Sequence, residues 1–269
     1  MTKCMKEGIE YLLDALPLAL TTDFDGTLSE IVPSPQLAAI HPRCRDSLVK
    51  LSEELPLVAV LSGRQVDEVR ELVGIPGLVY VGNHGLERWD KRDRCVEALV
   101  SEYVPTIHSI LERARQELNL PGLVFEDKGA SASIHYRSTP NVAAARKRVG
   151  SLLRQLAAQT GLKVVEGRRV VELRPAVDVN KGTVLADLLH RYAVQSVIYA
   201  GDDRTDLDAF RALHRWGFER GRRALAVGVS SAEMPPELVE QADLVVEGVE
   251  GWADVLDALA EAVSIAGHD

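Results

Sequence analysis

The sequence predicts an open α/β fold: a mainly parallel sheet with helices on both faces, carrying an inserted α+β domain. Three observations predict it. Short apolar runs without strict alternation recur at spacings that leave room for helices, the pattern of strands buried on both faces. Four of those runs end in polar clusters, as expected where strand carboxyl ends border a ligand. A basic middle segment twice repeats a helix–strand–strand order that its flanks lack.

Taken in order, the apolar runs are residues 16–20, 57–61, 78–81, 197–200, 225–229 and 244–246, several of them rich in valine. Amphipathic stretches at 42–54, 65–73, 182–192 and 206–216 read as helices between them. In the middle segment, a helix at 104–118 precedes strands at 123–127 and 131–137, joined by Lys128-Gly129-Ala130. A helix at 142–160 precedes strands at 163–165 and 170–174, joined by Glu166-Gly167-Arg168-Arg169. Glycine in each short connection supports a hairpin. The expected division is a core domain from residues 1–103 and 176–269, with 104–175 as the inserted domain.

Composition narrows the function classes. No apolar run approaches the length of a bilayer span, and no basic-then-apolar leader opens the chain. Three cysteines, Cys4, Cys44 and Cys95, are odd in number and lack C-x-x-C spacing. That argues against a disulfide framework or a zinc site and suggests the cytoplasm. The net charge of −9 is uneven: residues 105–175 hold 12 basic and 6 acidic side chains, leaving 19 and 34 elsewhere. Two modules of opposite sign are expected, facing each other across a cleft. No nucleic-acid partner is expected, since the pI is near 5.4 and the basic segment offers only Phe125 and Tyr136 for stacking. A monomer acting on a small molecule, with no membrane partner, is the expectation.

Chemistry concentrates at Asp23-Phe24-Asp25-Gly26-Thr27. Residues two apart on a strand point the same way, so Asp23 and Asp25 would project together from its end. Two adjacent carboxylates are unfavourable unless a cation or a shared proton compensates. With Gly-Thr following, the loop suggests a nucleophile, a general acid, a phosphate-binding hydroxyl and a hard metal. An ordinary acidic turn is the alternative. Downstream lie Ser62-Gly63-Arg64, Lys181 and Gly201-Asp202-Asp203-Arg204-Thr205-Asp206. A lysine in a first helical turn opposes the helix dipole, and a neighbouring phosphate and carboxylate would reverse that sign.

These four elements, in this order, resemble the motifs of the haloacid-dehalogenase superfamily of phosphotransferases, which implies a Rossmann-like core. The resemblance implies Asp23 as nucleophile, Asp25 as acid and then base, and Lys181 as the third catalytic group. It implies phosphate binding by Gly26, Thr27, Ser62, Gly63 and Arg64, and Mg²⁺ at Asp23, Asp25 (through its backbone carbonyl), Asp202 and Asp206. The role of Asp203 stays open between metal and geometry.

Further strings narrow the resemblance: Gly82-Asn83-His84-Gly85-Leu86-Glu87, His135-Tyr136-Arg137, Glu172-Leu173-Arg174-Pro175 and Asn180-Lys181-Gly182. The set is similar to the trehalose-6-phosphate phosphatase family, with a type IIB cap inserted in the core. What this implies is hydrolysis of trehalose 6-phosphate, with the cap closing over the sugar. The implied substrate contacts are Glu126, Lys128, Arg137 and Glu172 from the cap, and Asn83, His84 and Glu87 at the core-side rim. One departure is Leu207, where the family's fourth motif continues with glutamate. The same chemistry on sucrose phosphate or on mannosyl- or glucosyl-3-phosphoglycerate is an alternative, as is a catalytically silent sugar-phosphate binder.

Overall fold

A computed structural model describes residues 3–32, 35–90, 93–96, 98–167, 169–218, 221–231 and 234–266. Arg168 of the second expected hairpin connection and the side chain of Cys95 lie outside the described residues. In chain order the elements are α1 (Lys3–Leu13), β1 (Leu18–Thr22), α2 (Pro42–Glu54), β2 (Leu57–Leu61), α3 (Val66–Val73), β3 (Val79–Gly82), β4 (Glu87–Asp90), β5 (Asp93–Val96), α4 (Ala98–Ser101) and α5 (Val104–Glu117). There follow β6 (Val124–Asp127), β7 (Ala132–His135), α6 (Val142–Ala157), β8 (Leu162–Gly167), β9 (Val170–Pro175), α7 (Lys181–Arg191) and β10 (Ser196–Gly201). The chain ends with α8 (Asp206–Phe218), β11 (Arg223–Ser230), α9 (Pro236–Gln241), β12 (Leu244–Glu247) and α10 (Gly248–Ala266). Two compact units result, residues 1–95 with 179–269, and residues 96–178.

The first unit holds a sheet of order β12-β11-β10-β1-β2-β3-β4-β5 among the described residues. Neighbours from β12 through β3 pair in parallel, and β4 runs antiparallel to β3. Period-two alternation sends the central strands' side chains to two cores. Leu18, Leu20, Val58, Val60 and Ile198 join Leu48 of α2 and Trp252 and Leu256 of α10. Ala19, Leu57, Ala59, Val197 and Tyr199 join Leu185 and Leu188 of α7 and Phe210 and Leu213 of α8. Both faces being covered explains why these strands read as continuous apolar runs.

Chain order runs outward from β1 through β2 and β3 on one side, and from β10 through β11 and β12 on the other. The sheet therefore reverses direction between β1 and β10, the crevice where open α/β sheets hold ligands. Because the central strands are parallel, the segments after β1, β2, β3 and β10 all lie at one edge.

Two details differ from the sequence reading. The first strand starts at Leu18, not Leu16, because Pro17 has no amide to donate; its carbonyl accepts from Gln195 N at 2.8 Å, and Leu16 is exposed. Helices α1, α4, α9 and α10 and strands β4 and β5 escaped prediction. In α10 a broad apolar face is buried, while the acidic side of the helix is tied to α2 by Arg43, which contacts Glu250, Asp254 and Asp257 at 2.8, 2.7 and 2.6 Å. No helix among the described residues is long and apolar enough to cross a membrane.

The second unit is an antiparallel sheet of order β6-β7-β9-β8. Helices α5 and α6 cover one face, where Ile107, Leu111, Val149 and Leu153 pack on Ile134, Val171 and Leu173. Register pairs Glu126 with Ser133 and Ser133 with Glu172. Alternation therefore lines these polar residues on the face opposite the helices.

Candidate active site

At the crevice end of β1, Asp23 continues the ladder by donating its amide to Ala200 O at 2.8 Å. Gly26 then turns the chain with φ +84°, a left-handed conformation that favours glycine. A Cβ there would lie 2.2 Å from Asp202 Oδ2, so the turn needs a residue without a side chain on this second count as well. The turn closes through Gly26 N to Ser29 O (2.7 Å) and Leu28 N to Phe24 O (2.8 Å).

Lys181 opens α7, one residue earlier than the sequence suggests. Asn180 caps the helix by accepting from Thr183 N, and Thr183 Oγ1 in turn accepts from Asn180 N. The buried ammonium donates to Asp23 Oδ1 and Asp206 Oδ1, both at 2.8 Å. Asp206 is held from three more directions: Tyr199 OH donates to Oδ1 at 2.6 Å, and the amides of Asp202 and Asp203 donate to Oδ2 at 3.1 Å each. Asp203 points elsewhere, accepting from the amide and hydroxyl of Thr205 at 2.7 Å each.

Asp23, Asp202 and Asp206 each place a carboxylate oxygen within 4.8 Å of the others, all three buried. Burial raises Asp23 well above the ordinary carboxylate range against the pull of Lys181. Burial, then Asp23 and Asp206, push Asp202 up to about 9. Burial likewise raises Asp206 against Lys181. Burial works against the charge on Lys181 too, yet Asp206 and Asp23 outweigh it and hold the ammonium above its usual value. Asp202 Oδ1 and Thr27 Oγ1 are buried without a hydrogen-bond partner among the described residues. An all-oxygen donor set with one unpartnered carboxylate oxygen fits a hard divalent cation.

The other expected site residues divide. Ser62 Oγ accepts from Arg64 N at 3.1 Å, and His84 N donates to Ser62 O at 3.0 Å. Arg64 is fully engaged: Nε and Nη2 grip Asp25 in a two-pronged pair at 2.8 Å each, and Nη1 meets Glu68. The Asp25 side chain therefore lies on Arg64 and outside the three-carboxylate group, leaving its backbone carbonyl as the remaining route to a metal. Asn83 and His84 occupy left-handed backbone at φ 48° and 57°, and a Cβ on Gly63 would meet the His84 ring at 2.6 Å. Glu87 is buried and accepts from Val66 N at 3.0 Å, which ties the β4 end to α3 rather than exposing it.

In the second unit Glu126, Lys128 and Glu172 converge. Lys128 Nζ lies 3.7 Å from Glu126 Oε2 and 3.6 Å from Glu172 Oε1. Arg137 is exposed beyond the far end of β7 and makes no described contact with them. Sequence reasoning missed Tyr199, and it named His135 and Arg174 only within the strings that carry the resemblance, without a role in the site. Tyr199 reads as core because its ring is; only its hydroxyl reaches Asp206. The alternation that places Ser133 beside Glu126 also places His135 on that face, a signal the sequence did carry.

A family model described as trehalose-phosphatase matches residues 21–237. The chain belongs to the trehalose-phosphatase family. Curated relatives named trehalose-phosphate phosphatase agree: that of Mycobacterium tuberculosis is 40% identical over 214 residues, covering 76% of this chain and 53% of the relative. That of Mycobacterium marinum is 37% identical over 240 residues, 82% of this chain and 60% of the relative. The chain spans about half the length of the curated relatives it matches. Among solved structures, a trehalose-6-phosphate phosphatase C-terminal domain of C. albicans superposes with TM-score 0.79 at 20% identity, covering 96% of both chains. A haloacid dehalogenase-like hydrolase of Bacteroides thetaiotaomicron superposes with TM-score 0.63 at 18% identity, covering 90% of this chain and 98% of that one. At those identities the family's haloacid-dehalogenase-like fold is what the superpositions establish.

Proposed function

We propose that the chain is a Mg²⁺-dependent phosphomonoesterase that hydrolyses trehalose 6-phosphate to trehalose and phosphate through an aspartyl-phosphate on Asp23. The observation that carries this reading is the buried group of Asp23, Asp202 and Asp206 gathered on Lys181 in a member of the trehalose-phosphatase family.

Asp23 is the nucleophile: its carboxylate attacks phosphorus, splitting hydrolysis into two easier steps. Lys181 binds Oδ1 of Asp23 and so directs the other oxygen toward the substrate. Asp206 serves behind it, since both of its oxygens are spent on Lys181, Tyr199 and two backbone amides. Thr27, whose hydroxyl is unpartnered, and Ser62, whose oxygen accepts the Arg64 amide, direct hydroxyl protons to phosphoryl oxygens. Asp25 protonates the leaving alkoxide and then takes a proton from the water that opens the phosphoenzyme. Arg64 sets the resting direction of Asp25 by its two-pronged grip, and one prong opens as Asp25 turns an oxygen to the ester to carry the proton. Asp23, Asp202 and the carbonyl of Asp25 would hold Mg²⁺, which neutralises phosphoryl charge when bound. Residues 96–178 are read as the cap, with Glu126 and Lys128 meeting sugar hydroxyls.

The test is phosphate release with Mg²⁺ from trehalose 6-phosphate, sucrose 6-phosphate and glucosyl-3-phosphoglycerate, with Asp23→Asn as control. Turnover of trehalose 6-phosphate that Asp23→Asn abolishes is expected. Release from another ester alone would overturn the substrate, and activity surviving Asp23→Asn would overturn the mechanism.

A further inference from the structure

Arg64 is the buried centre of an ion group just beyond β2. Its side chain is 9% exposed, against 43% for Asp25 and 35% for Glu68. Nε and Nη2 take the two oxygens of Asp25, and Nη1 donates to Glu68 Oε1. The guanidinium carbon also stands 5.6 Å from the centre of the Phe24 ring. The backbone of Arg64 is pinned as well: its amide donates to Ser62 Oγ at 3.1 Å, and its carbonyl accepts from Asn83 N at 2.7 Å. Burial works against the charge on Arg64, yet Asp25 and Glu68 outweigh it and hold the guanidinium above its usual value.

Of the three, only Glu68 lies outside the reaction. It is the third residue of α3, where the helix dipole favours a carboxylate and a glutamate often turns back to the helix cap. Arg64 precedes that helix, so a pair with it is not required by the helix itself. The motion of Asp25 gives the pair a use. Asp25 brings a proton to the ester, and a carboxyl that carries one no longer balances the guanidinium. Water hardly reaches Arg64, and a buried cation left without a partner is costly. With Asp25 as its sole counter-ion, the guanidinium on its flexible stem would follow the turning carboxyl and keep both prongs. Glu68 holds the remaining nitrogen, Nη1, with a second carboxylate that stays in place.

We propose that Glu68 is a positioning residue for the general acid: it keeps the Arg64 guanidinium seated and balanced while Asp25 opens one prong and turns to the leaving oxygen. The proposal rests on the sugar-phosphate phosphatase reading and deepens it. In the step concerned the ester P–O bond breaks with its electron pair left on the sugar oxygen, which takes the proton from Asp25. Glu68 acts on this step through Arg64.

Two measurements test it on the full chain. In single-turnover rapid quench with Mg²⁺-loaded protein, Glu68→Ala is expected to release trehalose from trehalose 6-phosphate roughly tenfold more slowly, the worth of one charge-assisted hydrogen bond. Release of nitrophenolate from p-nitrophenyl phosphate, which leaves without a proton, should stay within about twofold of wild type. In metal-free protein, the melting temperatures of Asp25→Asn, Glu68→Ala and the double variant form a cycle. Each single variant leaves Arg64 one of its two carboxylates, and the double variant leaves it neither. The double loss should therefore exceed the sum of the single losses by about 3 °C or more. Equal slowing of both esters, an unslowed trehalose 6-phosphate, or a smaller excess in the cycle would overturn the proposal. Wild-type protein that leaves trehalose 6-phosphate intact while cleaving another ester is a different result: it overturns the substrate reading, and the melting cycle still tests the pairing.

Discussion

Replacing Lys181 by methionine tests whether its ammonium compensates the acidic group. Methionine matches the lysine stem in size, so the change removes charge and two hydrogen bonds of 2.8 Å with little change in packing. Asp206 keeps Tyr199 and two amides as donors, whereas Asp23 loses the one side-chain donor described for it. Breaking a buried ion pair from one side costs about 3–5 kcal/mol, because the partner is left charged and unpaired. For a domain of this size each kcal/mol is worth roughly 2–4 °C, so the metal-free melting temperature should fall by about 10 °C. The sign with pH follows from the direction of the carboxylate shifts. Burial already raises Asp23 and Asp206, and losing Lys181 raises them further. Between the raised carboxylate values of wild type and the still higher ones of the variant, the folded variant holds more protons than the folded wild type, so the deficit widens as pH rises through that range. Saturating Mg²⁺, by supplying a cation, should narrow it. Differential scanning calorimetry of both proteins at pH 5 and 8, with EDTA or Mg²⁺, makes the comparison. A deficit under about 2 °C that ignores pH and metal would refute the reasoning.

Other changes follow from the same geometry. In metal-free protein Asp202, pushed up to about 9, destabilises the fold as pH rises between its ordinary value and 9. Asp202→Asn should therefore raise the EDTA melting temperature at pH 8 and erase the stabilisation by Mg²⁺; a full Mg²⁺ response in the variant would place the metal elsewhere. Gly26→Ala meets both a left-handed φ and the Asp202 carboxylate 2.2 Å away. It should cut phosphate release about 100-fold or more while the far-ultraviolet spectrum is retained, and normal turnover would contradict the packing described. Arg64→Lys keeps the charge but loses the fork that grips Asp25. A drop in kcat of about tenfold with KM nearly constant is expected from steady-state kinetics, whereas a rise in KM alone would return Arg64 to the phosphate.

The fold was legible where one constraint acted alone. Strand 57–61 carries apolar side chains toward two cores at once, so helix-like and alternating patterns are both excluded. The hairpins of the second unit announced themselves through glycine between apolar runs. Where two demands met, the sequence was ambiguous. Pro17 sits inside an apolar run yet cannot join a ladder by its nitrogen, which moved the start of β1. Glu87 lies in a string that reads as a polar rim, but one buried hydrogen bond to Val66 N turns it inward as a structural brace.

The same logic separates the two clusters. The acidic group after β1 and β10 was readable because like charges at the ends of adjacent parallel strands demand compensation, and short spacing displays that demand along the chain. Compensation itself comes from afar: Lys181 is 158 residues from Asp23 in sequence, and Tyr199 is hidden in a strand whose burial already accounts for its ring. In the second unit no like charges adjoin. Glu126, His135 and Glu172 reach one face only through antiparallel register across three strands, so each alone reads as half of a salt bridge.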